Sequence, residues 1–184
     1  MNNKIDSVAR INQAIHLPNE AELLEVISQA ASAAAVFRAA YHALNDAVGS
    51  LMQRQFKQKD CSVQFVVDPL MHSSGPLGDM KIRSKLLLGL GVINKEAYED
   101  IEVFVELKEW NESINEDYDF THPKVLTALR GIKAIKRSMP IEYDPSMMQG
   151  LSESMLQMFV RRHNQKVQST IVLAITDLVG QLSV

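Results

Sequence analysis

Cysteine occurs once in the 184 residues, at Cys61, which excludes an intrachain disulfide and a cysteine-rich metal site. A lone thiol fits a reducing compartment, so the expectation is a cytoplasmic protein with Cys61 as a small core residue. Aromatic residues make up only 6% of the chain, with one tryptophan, and methionine and leucine carry much of the apolar content. That balance suits helix packing better than a sheet. Long hydrophobic runs are missing as well. The best, residues 171–179, is interrupted by Thr176 and Asp177 and falls short of membrane-spanning length. The N-terminus lacks the basic, apolar and small-residue order of a signal peptide. Excess positive charge is also absent, with 19 Lys and Arg against 22 Asp and Glu for a net charge of −3. Proteins that hold DNA through their own surface concentrate cations, because phosphate neutralisation dominates affinity. The average charge therefore weighs against an autonomous DNA binder and leaves only a local patch open.

Catalytic constellations are missing in turn. The histidines, His16, His42, His72, His122 and His163, never fall three or four residues apart, so no helix offers a paired ligand face. His-Glu-x-x-His, a phosphate-binding glycine loop and Gly-x-Ser-x-Gly are all absent. The carboxylates Glu96, Glu99, Asp100, Glu102 and Glu106 spread around one helix and read as a solvated acidic face, not a metal site. No cofactor or metal is expected, and the chain does not read as an enzyme.

What is present is helical periodicity. Leu23, Ile27, Ala30, Ala34, Phe37, Tyr41, Leu44, Val48 and Leu51 alternate in steps of four and three, which predicts one long helix with a near-heptad seam. Packing against other helices of the same chain competes with a homodimer seam, and alanine-rich helices accommodate both. Ahead of it, residues 1–18 read as a short, loosely attached helix closed by Pro18, with Asn19 as the next cap; residues 19–184 form a single helical domain. Segment 61–68 fits a helix or a strand. Residues 72–76 are a loop, and Asp79 opens a helix whose predicted inward face is Ile82, Leu86, Leu90 and Ile93. Asn94 caps a helix with Ala97, Ile101, Phe104 and Val105 inward, and residues 111–120 read as a loop. Thr121 and Pro123 start a helix carrying Val125, Leu129, Ile132 and Ile135, which ends before Pro140. A last long helix buries Val167, Ile171, Ala174, Leu178 and Leu182. The fold class is all-α, a multi-helix bundle with two long helices and no separate winged or helix-turn-helix DNA-binding domain.

Residues 86–107 can be threaded onto a helix-turn-helix, but its second helix is too acidic to face a phosphate-lined groove. The better basic candidate is the helix holding Lys124, Arg130, Lys133, Lys136 and Arg137, with no acidic residue between its ends; Arg161, Arg162 and Lys166 add a smaller cluster.

The stretch from Val67 to Leu107 closely resembles the mannitol operon repressor family. The likeness rests on Asp68-Pro69-Leu70, Gly75-Pro76-Leu77-Gly78-Asp79, Arg83, Lys85, Leu86, Gly89-Leu90-Gly91-Val92-Ile93-Asn94 and Tyr98-Glu99-Asp100. Tyr118-Asp119-Phe120-Thr121 and Val167-Gln168-Ser169-Thr170 extend it in family order. The resemblance implies a bacterial, cytoplasmic, all-helical repressor of the genes for mannitol uptake and oxidation, and it carries over no DNA-contacting set. Together with the acidic pseudo-recognition helix, it points to repression through a protein partner, such as another DNA-binding regulator. Two partner surfaces are expected: Gly75, Pro76, Asp79, Arg83 and Lys85, and Tyr98, Glu99, Asp100, Glu102 and Glu106, the latter suited to a basic protein. Direct DNA binding through helix 124–137, and sensing of a phosphorylated sugar alcohol, are the competing functions.

Overall fold

A serine divides the long apolar seam in two. In the computed structural model, which describes residues 20–56, 63–114 and 118–183, the seam lies on α1, Glu20–Ser28, and α2, Ala33–Arg54. The expected single helix is therefore corrected to two. Ser32 adopts an extended backbone and its side chain accepts a hydrogen bond from Ala35 N at 3.2 Å, so it caps α2 where an uninterrupted helix had been read. The readings at residues 1–19 and at Cys61 lie outside the described residues.

Of the segment read as helix or strand, the described residues 63–68 are helical. A π-helical turn, Val63–Val67, runs into the single turn α3, Asp68–Met71, with Pro69 in its first turn. After the loop, α4 spans Met80–Gly89 and α5 Lys95–Ser113, each opened by the predicted cap: Asp79 accepts from Lys81 N, and Asn94 from Ala97 N. Between them, Gly91 takes φ 68 and closes a Schellman turn, with Gly91 N bonded to Leu88 O and Val92 N to Leu87 O. Residues 111–113, expected in a loop, are the last turn of α5.

The helix expected to begin at Thr121 is capped one residue later, by the His122 side chain, and is itself divided. α6 spans Pro123–Gly131 and α7 Lys133–Ser138, separated by the extended Ile132. A connector with a 3-10 turn, Pro145–Met148, leads to the 30-residue α8, Glu153–Leu182, capped by Ser152.

Helix α2 is the axis of the bundle, touching α1, α4, α5 and α8. Phe37, Ala40, Leu44, Ala47 and Val48 are fully enclosed by them. Most of the heptad seam is thus consumed inside the chain, with Ala30, Ala34 and Tyr41 left partly exposed. At the far end, Arg54 of α2 donates to Leu182 O and Ser183 O, pinning the last turn of α8 where its carbonyls lack helical partners. The predicted inward residues of α5, α6, α7 and α8 are all buried.

Helix α4 departs from expectation. Its buried face is Met80, Arg83, Ser84 and Leu87, whereas Ile82, Leu86 and Leu90 point outward, 48%, 38% and 55% exposed. Two stripes compete on this helix. The one that wins places Met80 and Leu87 against α2 and α5, with Ser84 Oγ returned to Met80 O at 2.8 Å.

Candidate functional site

The glycine loop ahead of α4 owes its composition to its own packing. A Cβ on Gly75 would lie 2.2 Å from Pro69 O, and one on Gly78 2.5 Å from His72 O. Both positions accept only glycine, because the loop folds back on α3. Leu77 N reaches Leu70 O at 2.9 Å and buries the leucine. Asp79 is used as a cap, while Pro76 and Lys85 stay exposed. Beside the loop lies a polar cleft of about 260 Å³, between Ser73, Gly78, Asp79 and the side chains of Tyr41, Lys108 and Glu109.

Arg83 is not a surface residue, contrary to the expected partner face. It is 6% exposed, bonds Asn45 Oδ1 on α2, and lies against Gly49 of the same helix. Its Nε has no partner, and burial lowers its hold on the proton, opposed by nearby Tyr41, Asp79 and Asp46. No carboxylate pairs with it in direct contact among the described residues, so it ties α4 to α2 as a buried donor.

The acidic helix and the basic helix, read as two surfaces, meet each other. Glu99 of α5 pairs with Lys133, and with Lys95 at 3.4 Å. The Lys133 hydrogen bond holds the Glu99 carboxyl below the usual carboxylate range and raises Lys133 in return. Arg137 bridges Glu96 and Asp177, each at 3.0 Å, joining α7 to α5 and α8. Asp100 is 2% exposed and accepts from Lys133 N and Ala134 N, both at 2.8 Å, so it caps α7 from another helix. It is removed from the partner surface for that reason. Tyr98 donates to Glu102; burial first, and that bond second, push its pKa up to about 12.

Two further cations of the patch are also engaged, while Arg161, Arg162 and Lys166 are exposed on α8. Lys124 sits over the Trp110 ring at 4.8 Å, and Arg130 donates to Ile141 O and Tyr143 O, holding the connector. Of the basic patch, Lys136 extends into solvent without a described side-chain bond. Glu106 is exposed at the rim of a cleft of about 430 Å³ shared with Glu109, Trp110, Ser113 and Lys124. The structure thus leaves Pro76, Lys85, Glu106 and Lys136 as the freely presented members of the predicted sets. The sequence reasoning missed the exposed Ile82–Leu86–Leu90 row, which had been assigned to the core. Its four-residue spacing is that of an ordinary inward helix face, so the spacing carried no signal that it would turn outward.

Among the described residues, no group of three or more His, Cys, Asp or Glu could hold a metal ion, and no helix is long and apolar enough to cross a membrane.

Comparison with known proteins bears on these surfaces. The sequence model of the family described as MtlR, mannitol repressor, matches residues 19–183. The mannitol operon repressor of Escherichia coli K12 is 32% identical over 164 residues, covering 89% of this chain and 82% of the relative. The solved structure of an MtlR–HPr complex from Escherichia coli is similar at TM-score 0.77 and 31% identity, over 90% of this chain and 98% of that one. The crystal structure of YggD from Shigella flexneri 2a, described as a possible transcriptional regulator, shares the fold at TM-score 0.74 and 20% identity, over 91% and 99%.

Proposed function

Because the chain belongs to the mannitol repressor family, we propose that it represses genes of mannitol uptake and use by assembling with a protein partner, without gripping DNA through its own surface. The observation that carries this is the pairing of α5 with α6 and α7. The larger of the two basic clusters that the sequence offers to phosphates has Lys133 and Arg137 occupied by carboxylates and Arg130 by backbone carbonyls. Phosphate binding on this helix would first have to break those contacts, and counterion release from the exposed Lys136 alone supplies little affinity.

The partner we infer is HPr, the protein bound to the Escherichia coli relative in its solved complex. Residues 19–184 act as one helical domain in the cytoplasm, as a regulator with no catalytic step. Pro76, Lys85 and Glu106 are the contact residues retained from the two predicted faces. Calorimetric titration of the full chain with HPr from the same host tests this; saturable binding is expected, and no binding at physiological salt would refute it.

A further inference from the structure

The flank between α1 and α2 holds a groove that the core leaves open. Its volume is about 410 Å³, with Leu23 and Val26 of α1 on one side and Ala35, Ala39 and Ala43 of α2 on the other. Val26 is 55% exposed, beside the buried Leu23 and Ile27. Alanines at four-residue steps give this side of α2 little bulk, so the backbone of another helix can come close to it. Arg38 and Asp46 are exposed along the α2 border of the groove.

The sequence ahead of α1 carries an apolar stripe of matching size. The spacing of Ile5, Val8, Ile11 and Ile15 puts all of them on one side of a helix, where Lys4 joins them, while Asp6 and Arg10 fall on the opposite side. A helix over residues 4–16 would be about 20 Å long, and the groove runs along about 17 Å of α2, from Ala35 to Asp46. Helices this short are marginal in water by themselves, so such a stripe needs a surface that buries it. Only Leu17, Pro18 and Asn19 separate it from Glu20, where α1 starts. The match to the family model begins at residue 19 and leaves the stripe outside.

We propose that residues 4–16 dock as a helix in the groove between α1 and α2 of their own chain, with Ile5, Val8, Ile11 and Ile15 against Val26 and the alanines. The tether selects this occupant. A link of Leu17, Pro18 and Asn19 holds the stripe at an effective concentration on the order of millimolar, far above that of a second copy or another protein in solution. Pro18 ends the helix and turns the chain, so the segment can lie back along α1. Lys4 on the docking side also suits the exposed carboxylate of Asp46 at the groove border. The inference is independent of HPr and of repression.

Amide hydrogen exchange of the full chain tests this, with Val26→Glu in the groove, Ile11→Glu in the segment and Leu24→Glu as control. Leu24 is 47% exposed, does not line the groove and falls on the far side of α1 from Val26. Amides of residues 8–16 should exchange about tenfold or more slowly in the unsubstituted chain than in Val26→Glu or Ile11→Glu. Leu24→Glu should leave them protected. Thermal melting checks that each variant is folded; should Val26→Glu unfold, Ile11→Glu, which leaves the groove untouched, carries the test. Exchange of residues 8–16 at the rate of an unstructured chain in the unsubstituted protein overturns the proposal, as does protection that neither substitution reduces. Protection that appears only with rising concentration, together with a dimer in sedimentation, gives the groove to the segment of a second copy and overturns it. Protection that appears only on adding HPr gives the segment to a partner and equally overturns it.

Discussion

Asp100 stands in a run of carboxylates that look interchangeable, yet it alone is buried with both oxygens on backbone donors of another helix. Removing it leaves Lys133 N and Ala134 N without acceptors where α7 begins. Asp100→Ala should therefore cost about 2–4 kcal/mol in urea unfolding, and Asp100→Asn, which keeps one acceptor, about half of that. The signal for this role was in the sequence. Asp100 shares helical spacing with Ala97, Ile101 and Phe104, as Arg83 does with Met80 and Leu87. A charged residue on an inward stripe is a candidate tertiary cap or buried donor. Composition alone makes it one more surface charge. His163 is a second case. It is buried, its Nε2 lies 3.2 Å from Phe120 O, and its ring is 4.6 Å from that of Tyr143. Burial lowers its pKa; Lys166 and Arg130 add to that, while the Phe120 carbonyl and Asp119 oppose it. With the folded pKa below the unfolded value of about 6.5, the unfolded chain takes up the proton first. The stability His163 contributes is full above that value and is lost as pH falls toward the folded pKa. Melting curves from pH 7.5 to 5.5 should show Tm falling, with a shallower decline in His163→Gln.

At the scale of elements, helix identity and most buried faces were legible, and the breaks were not. The four-and-three rhythm runs unbroken across Ser32 and across Ile132 because a cap or one extended residue need not disturb apolar spacing. Which stripe of α4 turns inward was not legible either: Ile82, Leu86 and Leu90 make the more apolar stripe, yet Met80, Arg83, Ser84 and Leu87 turn in against α2 and α5. The connector at 139–151 was readable as a Pro-containing link, but its attachment was not. Arg130 holds it through two carbonyls, while Tyr143 stacks toward Phe159 and His163. Arg130→Ala should speed amide exchange through residues 141–151 while lowering global stability by only about 1 kcal/mol. Equal slowing or unchanged exchange there would refute the anchoring role.

Across the whole molecule, the candidate surfaces changed most between sequence and structure. From what appeared as one acidic face and one basic face, Glu96 and Glu99 pair with Arg137 and Lys133, a fact of tertiary contact between helices more than thirty residues apart in sequence. Of the predicted sets, Pro76, Lys85, Glu106 and Lys136 remain outward, beside the exposed Ile82–Leu86–Leu90 row. That surface suits a regulator that works through another protein. Titration of a fluorescent mannitol-operator duplex with the purified chain at physiological salt tests this most directly. The account predicts no sequence-preferring rise in anisotropy from the chain alone, and the same flat response from Arg130→Ala. Tight, operator-specific binding by the chain alone, lost in a variant lacking Arg130, Lys133 and Arg137, would contradict it.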